Sequence, residues 1–482
     1  MEGEKHPDEE DAQEFFDNLY GTIFRECPGL KGLILVGEAV GFPSKDPNVV
    51  PNWAKVDKDG FPTGKPAAGW WPCCDYPQWL ECVKKSVRDQ KADADIIFWT
   101  YNWGYVDKEN RLKLINSLPT DITLMATYEM FESFKVDDIS EFTADYSLAF
   151  AGPGEYFKSE AEAAKKRGIR MYAMSNTGGR TWDMGVIPYE PMPYQWIKRY
   201  KGLREAAEKW GLSGLMECHH YGFHPSFIGD LAKQCFIKEN TDSDKCLHDV
   251  LAARFGAENI EKMCVALEKW SEAITHFTPG DADQYGAFRI GPAYPLCLIR
   301  EMKPKGEKYA ECGSGIVFTM YPADYHPTNG LPTGRGMLPS LRVDTEIKSL
   351  TRMYELIREG TDILSEIKNK NEELLFLINM GEYMCCYVTT GINAKRWYKL
   401  SSNIKSADKA DEVIRLADEM TKVILDEKEN AERAIEFVRK DSCLGWEPCM
   451  EYMGDESRIR WKIKHLEYVL DFELACYKKG IK

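Results

Sequence analysis

Several features that would narrow function quickly are missing from this sequence. It carries no basic stripe: the net charge is −15 over 482 residues. Nucleic acid is therefore a disfavoured partner, and so is an anionic membrane surface. No apolar run approaches the ~18 residues that a membrane-spanning helix needs. The first residues, MEGEKHPDEEDAQ, lack the basic and apolar stretches of a signal peptide. Among 15 cysteines there is no CxxC pair, so neither a zinc site nor a disulfide framework is indicated. A soluble cytoplasmic protein is expected, unless a secretion signal precedes these residues. No cofactor and no metal is expected. The glycine-bearing stretch GGRTWDMG (178–185) lacks the strand, turn and Lys-Ser/Thr context of a phosphate loop.

What is present is apolar and aromatic. Hydrophobic residues make up 44% of the chain, enough for a sizeable core. Aromatics reach 12%, with 13 Trp and 24 Tyr. Such rings fill cores, and their faces also stack on the C–H faces of pyranoses.

The first half alternates short apolar runs with amphipathic helical stretches. Residues 11–26 read as a helix with Phe15, Phe16, Leu19 and Ile23 on one face. Six strand segments come after it: GLILVGEAV, DIIFWTYNWGY (95–105), DITLMATYEMF (121–131), a weaker YSLAFAG (146–152), IRMYAMSNTGG (169–179) and LSGLMECHHYG (212–222). Continuous apolar strands alternating with helices predict a parallel sheet covered by helices. The expected fold is α/β, a (β/α)8-type TIM barrel lacking its first strands, because six units are visible where eight are needed. An open six-stranded sheet is the plainer alternative. Past about residue 226 long helical patterns dominate, at 243–277, 340–371, 406–439 and 455–479. The division is thus a barrel part over 1–228 and an all-helical domain over 229–482, the latter a possible dimer contact.

In parallel barrels the reacting groups sit at the C-terminal strand ends. The first strand end offers Glu38. The second offers Trp99, Tyr101, Asn102 and Trp103. The third offers Tyr128 and Glu129. The fifth offers Asn176, then Arg180, Trp182 and Asp183. The sixth offers Glu217, His219 and His220. Carboxylates with Trp and Tyr suit glycoside hydrolysis, in which one carboxylic acid protonates the leaving oxygen and a second carboxylate acts as base or nucleophile. Glu38 ends a wholly apolar strand, a setting that raises a carboxyl pKa as a general acid requires. Glu129 or Asp183 is the second carboxylate. Trp99, Tyr101, Trp103, Tyr128 and Trp182 would line the site. Asn176, Arg180, Glu217, His219 and His220 would meet substrate polar groups. His219 and His220 are adjacent and point to opposite sides of a strand, which argues against a shared metal.

The order of these motifs resembles known glycosidases. ECPGLKGLILVGEAVGFPSKDP followed by DIIFWTYNWGY is similar to the middle of barrel enzymes related to glycoside hydrolase family 67, the α-glucuronidases. That resemblance implies Glu38 as the general acid, in GEAVG rather than Ser-Glu-Gly. It places Glu129 at a base position where that family has Asp. The order also resembles the family 20 β-N-acetylhexosaminidases, whose acid is preceded by an Asp where this chain has Gly37. The implied partner is a carbohydrate substrate. The alternative is a non-catalytic carbohydrate-binding protein or an inactive fragment on the same scaffold.

Overall fold

A computed structural model describes residues 5–49, 68–69, 71–143, 145–218, 224–237, 242–280, 283–298, 340–447 and 451–480. The chain is mixed α/β, with one parallel sheet and many helices. It divides into two compact units. The first comprises Met1–Phe131, Gly152–Ser175 and Gly202–Glu217; the second comprises Glu132–Ala151, Asn176–Lys201 and Cys218–Lys482.

The first unit is built on five parallel strands: β1 (Gly32–Val36), β2 (Asp95–Trp99), β3 (Thr123–Thr127), β6 (Arg170–Met174) and β7 (Leu212–Met216). They are hydrogen-bonded in that order, with β1 and β7 as edge strands. Closure into an eight-stranded barrel is not seen among the described residues. Register places Leu35, Phe98, Leu124 and Met171 in one row across the sheet. That row is buried, and it packs in one cluster with Trp79 and Val83 of helix Tyr76–Arg88 and with Phe157 and Ala161 of helix Glu155–Arg167. Each such large side chain contributes about 1.5–3 kcal/mol by leaving water. Val36, Trp99 and Met125 form the next row and point to the other face, as the period of two requires.

Helix 12–26 departs from the expected face. A wide π turn over Asp17–Gly21 interrupts it and rotates the turns beyond. Ala12, Phe16 and Phe24 are buried, whereas Leu19 and Ile23 stand 39% and 45% exposed.

The expected strand at 146–152 does not form. Its backbone polar groups are satisfied by side chains instead of a ladder. Asp183 accepts from the Leu148 and Ala149 amides, Gln284 donates to the Tyr146 carbonyl, and Gln195 donates to the Leu148 carbonyl. Arg199 donates to the carbonyls of Ser147, Phe150 and Ala151. A small antiparallel hairpin, β4 (Ser133–Val136) with β5 (Ile139–Phe142), stands just before this segment.

The second unit is mainly helical. The expected helix at 243–277 breaks at Gly256, whose φ of +92° suits glycine, into Ser243–Phe255 and Ile260–Ala273. The longest helix, Glu372–Ser406, was not visible in the sequence pattern. It is buried around much of its circumference, so it shows no amphipathic period. No helix among the described residues is long and apolar enough to cross a membrane.

Candidate functional site

Glu38 sits in a single 3-10 turn, Gly37–Ala39, directly after β1. Close packing fixes that turn. A side chain at Gly37 would come within 2.8 Å of the Trp103 ring and 3.0 Å of the Trp99 carbonyl. A side chain at Gly69 would meet the Glu38 carbonyl at 2.7 Å. Gly69 in turn accepts a 2.6 Å hydrogen bond from the Trp103 indole, and the Tyr76 hydroxyl donates to the Gly37 carbonyl at 3.0 Å. The backbone on both sides of Glu38 is therefore held.

The Glu38 side chain is partly buried. Burial pushes its carboxyl up to about 7, against a smaller downward pull from Asn102. The Asn102 amide donates to the Glu38 Oε2. Asn102 is left-handed, with φ +65°, a conformation Asn tolerates better than most residues. Tyr105 lies near enough to feel the carboxylate, which together with burial raises its phenol.

The loop bearing Asn102 and Tyr105 is gripped at both ends by a buried polar network. Thr100 donates its hydroxyl to Glu160 Oε2 at 2.5 Å, and Tyr156 donates to the Thr100 carbonyl at 2.5 Å. Arg111 pairs with Glu160 Oε1 at 2.9 Å and donates to the Val106 carbonyl at 3.1 Å. No sequence motif announced Arg111 or Glu160. Both lie on helices, Lys108–Ile115 and Glu155–Arg167, and only the fold brings them to the loop.

The other expected residues of the first unit take varied positions. Trp99 is buried, packs on Tyr101 with ring centroids 4.5 Å apart and planes tilted by 39°, and donates to the Thr127 hydroxyl at 3.3 Å. Trp103 is fully buried, packed against Tyr76 at 5.1 Å and against the backbone at Gly37. Tyr128 faces the helical side, against Phe157 at 5.0 Å and the backbone of Gly152 and Gly202. Glu129 is fully buried. Glu217 is exposed. His219 and His220 lie outside the described residues.

Asn176, Arg180, Trp182 and Asp183 belong to the second unit. Asp183 is fully buried and committed to donors: Leu148 N at 2.6 Å, Ser147 Oγ at 3.0 Å, Ala149 N at 3.2 Å and Gln284 Nε2 at 3.1 Å. Burial raises its carboxyl, and that of nearby Glu190, whose proton affinity the Asp183 charge raises further. Glu190 accepts from Thr181 at 2.6 Å. Trp182 lies beneath the Arg289 guanidinium at 4.3 Å and edges on Tyr146. Arg180 reaches the carbonyls of Gly185 and Trp446. The Asn176 side chain is buried in a left-handed turn with φ +50°. No group of three or more potential metal ligands occurs among the described residues.

Comparison with known proteins gives little at the level of sequence: no family model and no curated protein matches. Among solved structures, the chain is similar to a GH138 enzyme targeting pectin rhamnogalacturonan II, at 10% identity and a TM-score of 0.49. That match covers 99% of this chain and 66% of the other. It is also similar to CpGH89 from Clostridium perfringens, solved with its substrate GlcNAc-α-1,4-galactose, at 10% identity and a TM-score of 0.26, over 83% of this chain and 41% of the other. The chain thus spans less than two thirds of either protein. Neither belongs to family 67 or 20.

Proposed function

We propose that this protein is a glycoside hydrolase in which Glu38 is the general acid. The observation that carries the reading is the place of that carboxyl. It stands at the C-terminal end of a parallel strand, where α/β sheets place their ligands. It is held by a closely packed turn, and burial pushes it up to about 7. A protonated Glu38 gives its proton to the glycosidic oxygen as the C–O bond breaks. A second carboxylate, Glu129 just after β3 in the same unit, activates water or attacks the anomeric carbon. Half-buried Tyr105, near Glu38, supplies the aromatic surface, with Trp99 and Tyr101 packed in the interior. Residues 1–228 carry the chemistry and 229–482 the helical support, in a cytoplasmic protein acting on carbohydrate and capable of dimerising.

A second reading is a carbohydrate-binding protein without turnover. It is favoured by the burial of Glu129 and by the four donors that occupy Asp183. The experiment is turnover of a panel of aryl α- and β-glycosides, including glucuronides and N-acetylhexosaminides, by wild type and Glu38→Gln. Loss of about 10²–10⁴ in kcat on one substrate supports the acid assignment. Sugar binding without turnover on any substrate supports the second reading instead.

A further inference from the structure

A concave pocket of about 370 Å³ lies wholly within the second unit. Leu377 and Met380 of helix Glu372–Ser406 give it an apolar side. One wall is aromatic: the Tyr189 and His224 rings stack at 5.7 Å with 16° between their planes. Phe376, 41% exposed, stands at the rim. The opposite lip is the end of helix Ala410–Lys440, where Asp441 turns back to accept the Cys443 amide at 2.8 Å. The Asp441 carboxylate lies close enough to Tyr189, His224 and Cys443 to bias the titration of all three.

We infer that this pocket binds one pyranose ring of a neutral sugar, at a site separate in chemistry from Glu38. Three features point to that ligand class. The walls are ring faces and edges with an apolar side, which suit the C–H face of a pyranose. The polar side chains on the lining include two carboxylates, Glu373 and Asp441, with the Tyr189 phenol, the His224 imidazole and the Ser442 hydroxyl, groups of the kind that fix orientation in a small-molecule pocket. A carboxylate accepts from two vicinal hydroxyls at once, while the imidazole and phenol can each give or take a hydrogen bond. Burial lowers the His224 pKa, which favours the neutral imidazole. Of the two carboxylates, Glu373 already has a cation partner, Arg254 at 2.5 Å, while the Lys440 ammonium lies over the Phe437 ring. An anionic ligand would meet the Asp441 carboxylate, whereas a polyol can donate to it. The inference rests on the pocket alone, and the role of Glu38 does not enter it.

The test is saturation-transfer NMR on the full chain carrying Glu38→Gln, so that hydrolysis does not interfere. The probes are methyl α- and β-D-glucopyranoside, methyl β-D-galactopyranoside and methyl β-D-xylopyranoside. At least one is expected to bind with a Kd in the millimolar range. Asp441→Ala should weaken that binding by about tenfold or more, the loss of one charge-assisted hydrogen bond. Phe376→Ala, an exposed position that does not threaten folding, should weaken it by a smaller factor. Thermal melts of both variants establish that they are folded. No transfer from any probe overturns the proposal. So does binding that both variants leave unchanged, which would locate the sugar elsewhere.

Discussion

The Asn102 side chain donates its amide to the Glu38 carboxylate across the C-terminal ends of β1 and β2. This contact opposes the effect of burial. Burial favours the neutral acid, and the amide donor favours the anion. The balance leaves Glu38 titrating near neutrality.

The first consequence is a pH dependence. A general acid works when protonated, so activity should fall as pH rises through about 7. Stability tracks the same group. The native state binds the Glu38 proton more tightly than the unfolded chain does, so its ionisation costs stability between about 4.5 and about 7, and fully above that. Glu38→Gln should therefore melt higher than wild type at pH 8, by at most ~3 kcal/mol, with no gain at pH 4. Melts across that range check the sign.

Removing the amide should move the alkaline limb. Asn102→Gly keeps the left-handed backbone, because glycine adopts positive φ freely. It deletes the donor that holds Glu38 down. The limb should shift upward, by about one unit if a hydrogen bond to a charged group contributes about 1.5 kcal/mol. A profile superimposable on wild type would refute the coupling.

The buried grip on the loop should be costly to break. Glu160 and Arg111 are both shielded from water and paired. Arg111→Met leaves a buried carboxylate uncompensated, which should cost about 3–5 kcal/mol. Denaturant titration measures that loss. Arg111→Lys should recover only part of it, since lysine lacks the second donor that reaches the Val106 carbonyl.

Asp183 is expected to behave differently from Glu38. Its oxygens accept four hydrogen bonds that tie down residues 147–149 and Gln284. Asp183→Asn points an amide at one set of those donors and should destabilise the second unit by about 2–4 kcal/mol. Activity and melting temperature should fall together. A variant that melts like wild type and loses activity by about 10²-fold or more, the scale of a lost acid or base, would instead make Asp183 catalytic.

Much of the framework was legible in the sequence. All five parallel strands were visible as short apolar runs, although only β3 is buried at every position and the edge strands β1 and β7 are partly exposed. Glu38 stood out as the first charge after GLILVG. Helices with one exposed face were readable from their period, Tyr76–Arg88 among them. Helix Glu372–Ser406 was not, since a helix buried on most sides has no polar stripe to mark it. The hairpin of β4 and β5 escaped as well, its strands being only four residues each.

Sequence by itself determined where apolar strands end and which charged residues come after them. That information is local: periodicity and the cost of burying a charge set it. Tertiary structure alone decided what surrounds each charge. The apolar run YSLAFAG became a loop because Asp183, Arg199, Gln195 and Gln284 satisfy its backbone from distant positions. Glu38 and Asp183 look alike as letters, each a carboxylate beside apolar residues. One meets a single side-chain amide and the other four donors, and those partners lie 34 to 101 residues away in the chain. Burial and hydrogen bonding are properties of that long-range assembly, so the chemistry of each carboxylate emerges only in the fold.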